Sequence, residues 1–387
     1  MSHRPPAWVG IALAFYAFIA IGIAEGGLGV LLPSILNTYN LSPATVTALF
    51  FSQISGYVVA ALLSSGLSDR IGLARMVLLA ALCLTGALCT YASTPYWAVM
   101  LMAGTFLGLG IGLIDAGINT FMAHSQRSAH LMGLLHAFYG VGALSGPALA
   151  TLLLTLGVSW RSAYWVFAAI VSLLVIAMLW VIAQRQPLMQ SPPVEPSTEG
   201  NLRLALKSPV VWVAGLLLLV YVGTEAAVGN WAYAVQTLSR DTPVAIAGYS
   251  ITAYWLGLTI GRLSMGSVMK AVGAVRVMNY SLALLTTGLL IWWLFPNQLW
   301  SLPLIGFALA AIFPITIWLM PQRVPAAIVP ASIGFLTSVG SVGAVSIPTA
   351  IGWIANQTGL GVIPILMLPL AIVMVILHRW LTHHAPR

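Results

Sequence analysis

Apolar residues run together along this chain in stretches of about 20, the length that crosses a lipid bilayer as a helix. Twelve such stretches can be drawn, at 8–36, 43–66, 74–93, 96–122, 130–157, 161–183, 209–238, 244–268, 274–294, 299–320, 329–356 and 361–383. Charged residues make up only 6% of the sequence, against about a quarter in ordinary soluble domains. A soluble fold of 387 residues could not cover its surface with so few charges. The expectation is an all-α membrane protein of twelve transmembrane helices.

The net charge of +8 does not point to nucleic acid. The bases occur in short clusters between apolar runs, where they act as orientation signals. Twelve spans place both termini on one side. Thirteen of the 15 Lys and Arg fall on that side: Arg4, Arg70, Arg75, Arg127, Arg185, Arg203, Lys207, Arg262, Lys270, Arg276, Arg323, Arg379 and Arg387. Only Arg161 and Arg240 fall opposite. Lys and Arg favour the cytoplasm, so both termini are expected there, in a plasma membrane of the bacterial inner-membrane kind. The opening MSHRPPAW leads into an apolar run longer than a signal-peptide core, which reads as a retained first span. Cys83 and Cys89 are six residues apart on one predicted helix, so neither a disulfide nor a metal site is expected.

Most connections are short. The exception is 184–208, rich in Pro, Ser and Glu and without helical period, which reads as a cytoplasmic linker. It separates an N-terminal six-helix bundle, 1–183, from a C-terminal one, 209–387. The halves also match each other. SGLSDRIGLARMV (65–77) aligns with MGSVMKAVGAVRVM (265–278), VGALSGP (141–147) with VGAVSIP (342–348), and Glu25 with Glu225, at offsets of 200 or 201. Two parallel six-span repeats predict a solute site at the midplane between the halves, worked by rocking one half against the other.

GLSDRIGLARM (66–76) resembles the loop signature of major facilitator transporters, carried here by Gly66, Asp69, Arg70, Gly72 and Arg75, with Met76 in place of a second base. Gly72 suits a tight turn, and Asp69 suits a latch that pairs with Arg and a helix N-terminus. The other reading is that these charges only mark a cytoplasmic loop. A narrower resemblance, to the fucose-permease-like branch with its proton symporters and sodium-dependent glucose transporters, is carried by Asp115, Asn119, His136, Gly140, Gly142, Gly223, Glu225, Trp231 and Ile312-Phe313-Pro314.

Four ionisable groups are expected within spans: Glu25, Asp115, His136 and Glu225. Such groups are costly in lipid, so they face a cavity, pair, or bind a proton. Glu25, Gln53, Asn119, Glu225, Asn230, Trp231 and Trp318 are the candidate solute-binding residues, with carboxylates and amides for hydroxyls and an indole for the apolar face of a sugar. Gly223 and Gly229 are expected to loosen span 7 there. Asp115 and His136, with Glu25 as rival, are the candidates for proton coupling. The competing reading for each is an inert interhelical contact. The Gly-rich run 140–147 and its mate at 341–348 read as packing devices.

No nucleotide loop, metal cluster or nucleophile motif appears, so the chain reads as neither an enzyme nor an ATP-driven pump, and needs no cofactor beyond a proton gradient, or sodium by resemblance. The expected function is secondary active transport of a small polar solute, sugar or sugar-like, by a monomer in the lipid bilayer. The alternatives are a drug/proton efflux antiporter, a sodium-coupled sugar symporter, or a non-transporting receptor on the same scaffold.

Overall fold

The structure is a computed structural model and describes residues 8–123, 128–184 and 199–384. Arg4, Arg127, Arg185, Arg387 and linker residues 185–198 lie outside the described residues. Among those described there is no strand, and twelve helices are long and apolar enough to cross a membrane. In chain order they are α1 (Trp8–Gly26), α2 (Pro43–Ile71), α3 (Leu73–Ser93), α4 (Trp97–Met122), α5 (Leu131–Thr155), α6 (Trp160–Ala183), α7 (Pro209–Ser239), α8 (Val244–Val272), α9 (Ala274–Leu294), α10 (Ser301–Gln322), α11 (Ala326–Thr358) and α12 (Leu360–His383).

The chain divides into two compact units, Met1–Leu41 with Thr45–Glu195, and Ser42–Ala44 with Pro196–Arg387. In the first, α1 packs on α5, α2 on α4, and α3 on both α4 and α6. In the second, α7 packs on α11, α8 on α10, and α9 on both α10 and α12. A shift of six helices carries one set of pairs onto the other, so the sequence repeat is also a repeat of packing.

Small residues explain why these particular helices meet. A Cβ built on Gly142 of α5 would lie 2.3 Å from the Ile19 carbonyl oxygen of α1. A Cβ on Gly343 of α11 would lie 2.0 Å from the Leu219 carbonyl oxygen of α7. Both pairs bring backbone against backbone, the contact that holds helices together in lipid, where the hydrophobic effect is absent. The two aligned Gly-rich runs are thus packing devices. The aligned turns correspond as well. Gly72 joins α2 to α3 at φ +83°, and Gly273 joins α8 to α9 at φ +88°, a region that side-chain-bearing residues avoid.

The two arginines that fall opposite the others do one job twice. Arg161 donates to the Tyr91 carbonyl near the end of α3 at 3.4 Å, and its guanidinium stacks 4.7 Å from the Trp160 ring. Arg240 donates to the Trp292 carbonyl near the end of α9 at 2.7 Å, 5.9 Å from that residue's ring. Cations at helix C-termini satisfy orphan carbonyls and the negative end of the dipole. Burial pushes the Arg240 guanidinium below its ordinary pKa, yet an arginine stays charged at physiological pH.

Four expectations need correction. The first apolar run, 8–36, is two helices: α1 ends at Gly26 and a second, Leu28–Thr38, follows Gly27. The rings and carbonyls packed there leave no room for side chains, with the Phe167 ring 2.4 Å from a Cβ built on Gly27. Span 7 is not broken at Gly223 or Gly229; it is α-helical from Pro209 to Ala234 and closes with a π-helical turn, Val235–Ser239. A break falls instead in α10, between Leu309 and Ile312. Pro314 has no N–H for the Ala310 carbonyl and its ring crowds that turn, which ends the first segment. Lastly, part of the linker is helical, over Glu199–Ala205. Ala205 is fully buried, and this short helix packs against α11.

Candidate functional site

Polar groups gather in the interior of each unit. In the first, α2 and α4 are held close enough by their glycines for Tyr57 to donate to Asp115 Oδ2 at 2.6 Å. One turn along α4, Asn119 Nδ2 donates to Asp115 Oδ1 at 2.8 Å. The sequence reading anticipated Asn119 but not Tyr57. Across the α1–α5 contact, Tyr139 donates to Glu25 Oε2 at 2.8 Å, and Glu25 is exposed. His136 lies one turn before Gly140 on α5, its ring edge-on to Phe18 at 5.8 Å. Gln53 Nε2 reaches the Tyr91 hydroxyl at 3.4 Å.

The second unit answers why a carboxylate stands in span 7. Tyr221, one turn before Glu225 on α7, donates to its carboxylate. Arg262 of α8 forms an ion pair with the same carboxylate at 3.5 Å, with side chains 26% and 16% exposed respectively. Tyr254, also on α8, donates to the Glu225 backbone carbonyl at 3.1 Å. Phe313, beside the break in α10, packs on Tyr221 at 6.2 Å between ring centroids. An intramembrane acid with a paired base and a phenol is electrically balanced, which makes it tolerable in lipid.

This pair corrects the charge assignment. Arg262 was assigned to the side bearing the termini. It lies ten residues before Val272, roughly 15 Å from the end of α8 at helical rise. Arg262 and, on α12, His378 join the intramembrane ionisable groups that the sequence reading placed at four.

The indole assignment also changes. Trp231 is wholly buried, and its Nε1 donates to the Pro348 carbonyl of α11 at 3.0 Å. It ties α7 to α11 and offers no ring face to a solute. Trp255 of α8 stands near the acid instead. Its ring is 3.1 Å from a Cβ built on Gly229, one turn beyond Glu225, and its indole N–H is buried without a partner among the described residues. A polar atom in that state is suited to an acceptor. Asn230 is half-buried, and Trp318 is 53% exposed on α10. In the loop signature, Asp69, Arg70 and Arg75 are exposed. Met76, the departure from the pattern, is fully buried and packs where Gly117 leaves space.

Residues 14–251, more than half of the chain, match the Major Facilitator Superfamily. The chain belongs to the major facilitator superfamily. It is therefore an integral membrane transporter of a small solute and not an enzyme. The glucose/mannose transporter GlcP of Bacillus subtilis (strain 168) is 23% identical over 346 residues, covering 87% of this chain and 86% of that protein. Among solved structures, the nucleoside transporter NupG matches with a TM-score of 0.79 at 14% identity, covering 97% of this chain and 99% of that one. The fucose:proton symporter FucP of E. coli matches at 0.66 and 16% identity, covering 99% and 100%. At these identities the two structures share the fold with this chain.

Proposed function

We propose that the chain is a proton-coupled secondary transporter of a small, neutral, hydroxyl-rich solute of sugar-like or nucleoside-like chemistry, working by alternating access with both termini in the cytoplasm. The observation that carries this is the polar cluster on α7 and α8: a partly exposed carboxylate held by Tyr221 and Arg262, with an unpartnered indole N–H on Trp255 close by. Carboxylate, guanidinium and indole N–H supply the acceptors and donors that a polyol needs. A related glucose/mannose transporter and two solved transporters of the same fold, for a nucleoside and for fucose, fit that chemistry.

Asp115, with Glu25 as rival and His136 as relay, is assigned the coupling proton, because Asp115 sits within a span and accepts hydrogen bonds from two neutral donors, Tyr57 and Asn119. Gln53, Asn119, Asn230 and Trp318 remain candidate contacts for solute. Gly66, Asp69, Arg70, Gly72 and Arg75 are assigned to the conformational latch.

Purified protein in proteoliposomes, offered glucose, mannose, fucose and uridine, tests the reading. At least one solute should accumulate when the outside is acidified, and a protonophore should abolish that accumulation. Accumulation driven by sodium alone, or none of any panel member under either gradient, would overturn it.

A further inference from the structure

The short linker helix, Glu199–Ala205, presents an apolar and basic face in the second unit that the transport reading does not use. It packs against α11 and the first turn of that helix, Ala326–Ile328. Ala205 is fully buried, while Leu202 and Leu204 stay 46% and 53% exposed. A line of apolar residues runs from here onto the body of a span. The Leu206 N–H donates to the Leu202 carbonyl at 2.9 Å, which places the two leucines one turn apart. Trp212 of α7 donates from Nε1 to the Leu206 carbonyl at 2.8 Å, and its ring packs on Phe335 of α11 at 4.9 Å between centroids. Leu216, one turn further along α7, is exposed like Trp212. Exposed apolar residues on a span face lipid, and tryptophan favours the depth of the headgroups. The apolar line therefore continues the lipid-facing surface of α7.

The charge beside that line has one sign. Arg203 and Lys207 are one turn apart and both exposed. Like charges at that spacing repel each other. Lys270 at the end of α8, Arg276 at the start of α9 and Arg379 near the end of α12 are exposed at the same end of the unit. Against these five bases the unit sets three acidic residues, of which Glu225 lies inside α7 and Asp241 in the turn at the far end of α7. Glu199 is the third and leaves the face strongly positive.

We propose that this face docks on the bilayer surface and takes anionic phospholipid, with Leu202 and Leu204 entering the acyl boundary and Arg203 and Lys207 holding headgroup phosphates. Apolar side chains beside bases are the combination that seats a segment in the plane of the interface. Anionic headgroups supply the counter-charge that the unit itself lacks at this end, and the guanidinium fork matches two phosphate oxygens. Through Trp212 and the first turn of α11, the docked segment bears on the starts of two spans. The proposal does not rest on the solute or the proton path assigned above.

The test follows one fluorophore on the full chain. Cys83→Ala and Cys89→Ala remove the native thiols, and Leu204→Cys carries an environment-sensitive label. The labelled protein is reconstituted in vesicles of phosphatidylcholine alone, or of phosphatidylcholine with phosphatidylglycerol. Acrylamide, an uncharged quencher, reads exposure to water. Quenching should fall several-fold in the phosphatidylglycerol vesicles, with a blue shift in emission, and high salt should reverse part of the change. Arg203→Gln with Lys207→Gln should abolish the difference between the two lipids. Both side chains are exposed, so this variant should give the same size-exclusion peak as the parent. Equal quenching in the two kinds of vesicle, or a difference that survives loss of both bases, overturns the proposal.

Discussion

Gly142→Leu should leave no folded protein to purify, and Gly343→Leu should do the same, whereas Gly86→Leu should express and melt like the parent. A Cβ at Gly142 meets the Ile19 carbonyl oxygen at 2.3 Å, and one at Gly343 meets the Leu219 carbonyl oxygen at 2.0 Å. Ordinary contact lies near ~3.5 Å, so α1 and α5, or α7 and α11, must separate by roughly an ångström along their length. The obstacle in each case is backbone, which cannot rotate away. Separation forfeits the whole packed face that drives helix association in lipid. Even ordinary overpacking costs about 1–3 kcal/mol, and a clash with backbone repeated along a helix pair exceeds that. Gly86 has nothing within 4 Å, so a leucine there only adds surface. Size-exclusion profiles of the three variants in detergent decide the matter. A monodisperse peak for Gly142→Leu would contradict the packing account of both halves.

Glu225→Ala should destabilise the fold, and a second change, Glu225→Ala with Arg262→Ala, should restore most of the loss. The single change strands Arg262 in the interior without its counter-ion, at a cost of about 3 kcal/mol or more. The double change removes both charges and leaves Tyr221 as a phenol lacking one acceptor, a smaller penalty of about 1–3 kcal/mol. Neither variant should transport. Thermal unfolding read beside uptake separates the two roles. If the single variant melted like the parent, the ion pair would have no structural weight. If the double variant still transported at the parental rate, the cluster would have no place in solute binding.

The large-scale features were legible because they are written at the scale of whole helices. Twelve apolar runs, a single offset near 200 and aligned Gly-rich segments specify span number and repeat, while the partners of the Gly-rich helices, α1 for α5 and α7 for α11, come only from the structure. The site was only half legible. Glu25, Asp115 and Glu225 stand out because a carboxylate in an apolar run is conspicuous, but their partners do not. Tyr57 looks like any aromatic in a span, and its bond to Asp115 depends on how α2 crosses α4. Arg262 lies close enough to the end of its apolar run to pass for a loop charge. Only the register of α8 against α7 sets it beside Glu225. Trp231 and Trp255 have the same chemistry on paper, and tertiary packing alone gives one to α11 and leaves the other with an unpaired N–H. The breaks were missed for a related reason. Glycine was given the weakening of span 7, while the glycines there serve close packing and a proline in α10 removes the hydrogen bond.

Proton movement driven by solute tests the central claim most directly. Proteoliposomes enclosing a pH-sensitive dye, with no gradient imposed, receive whichever solute the uptake panel identifies. The parent should acidify the lumen as solute enters. Asp115→Asn should show no acidification while still exchanging labelled for unlabelled solute, because the loaded carrier still interconverts without its proton. Acidification undiminished in both Asp115→Asn and Glu25→Gln would contradict coupling through these carboxylates.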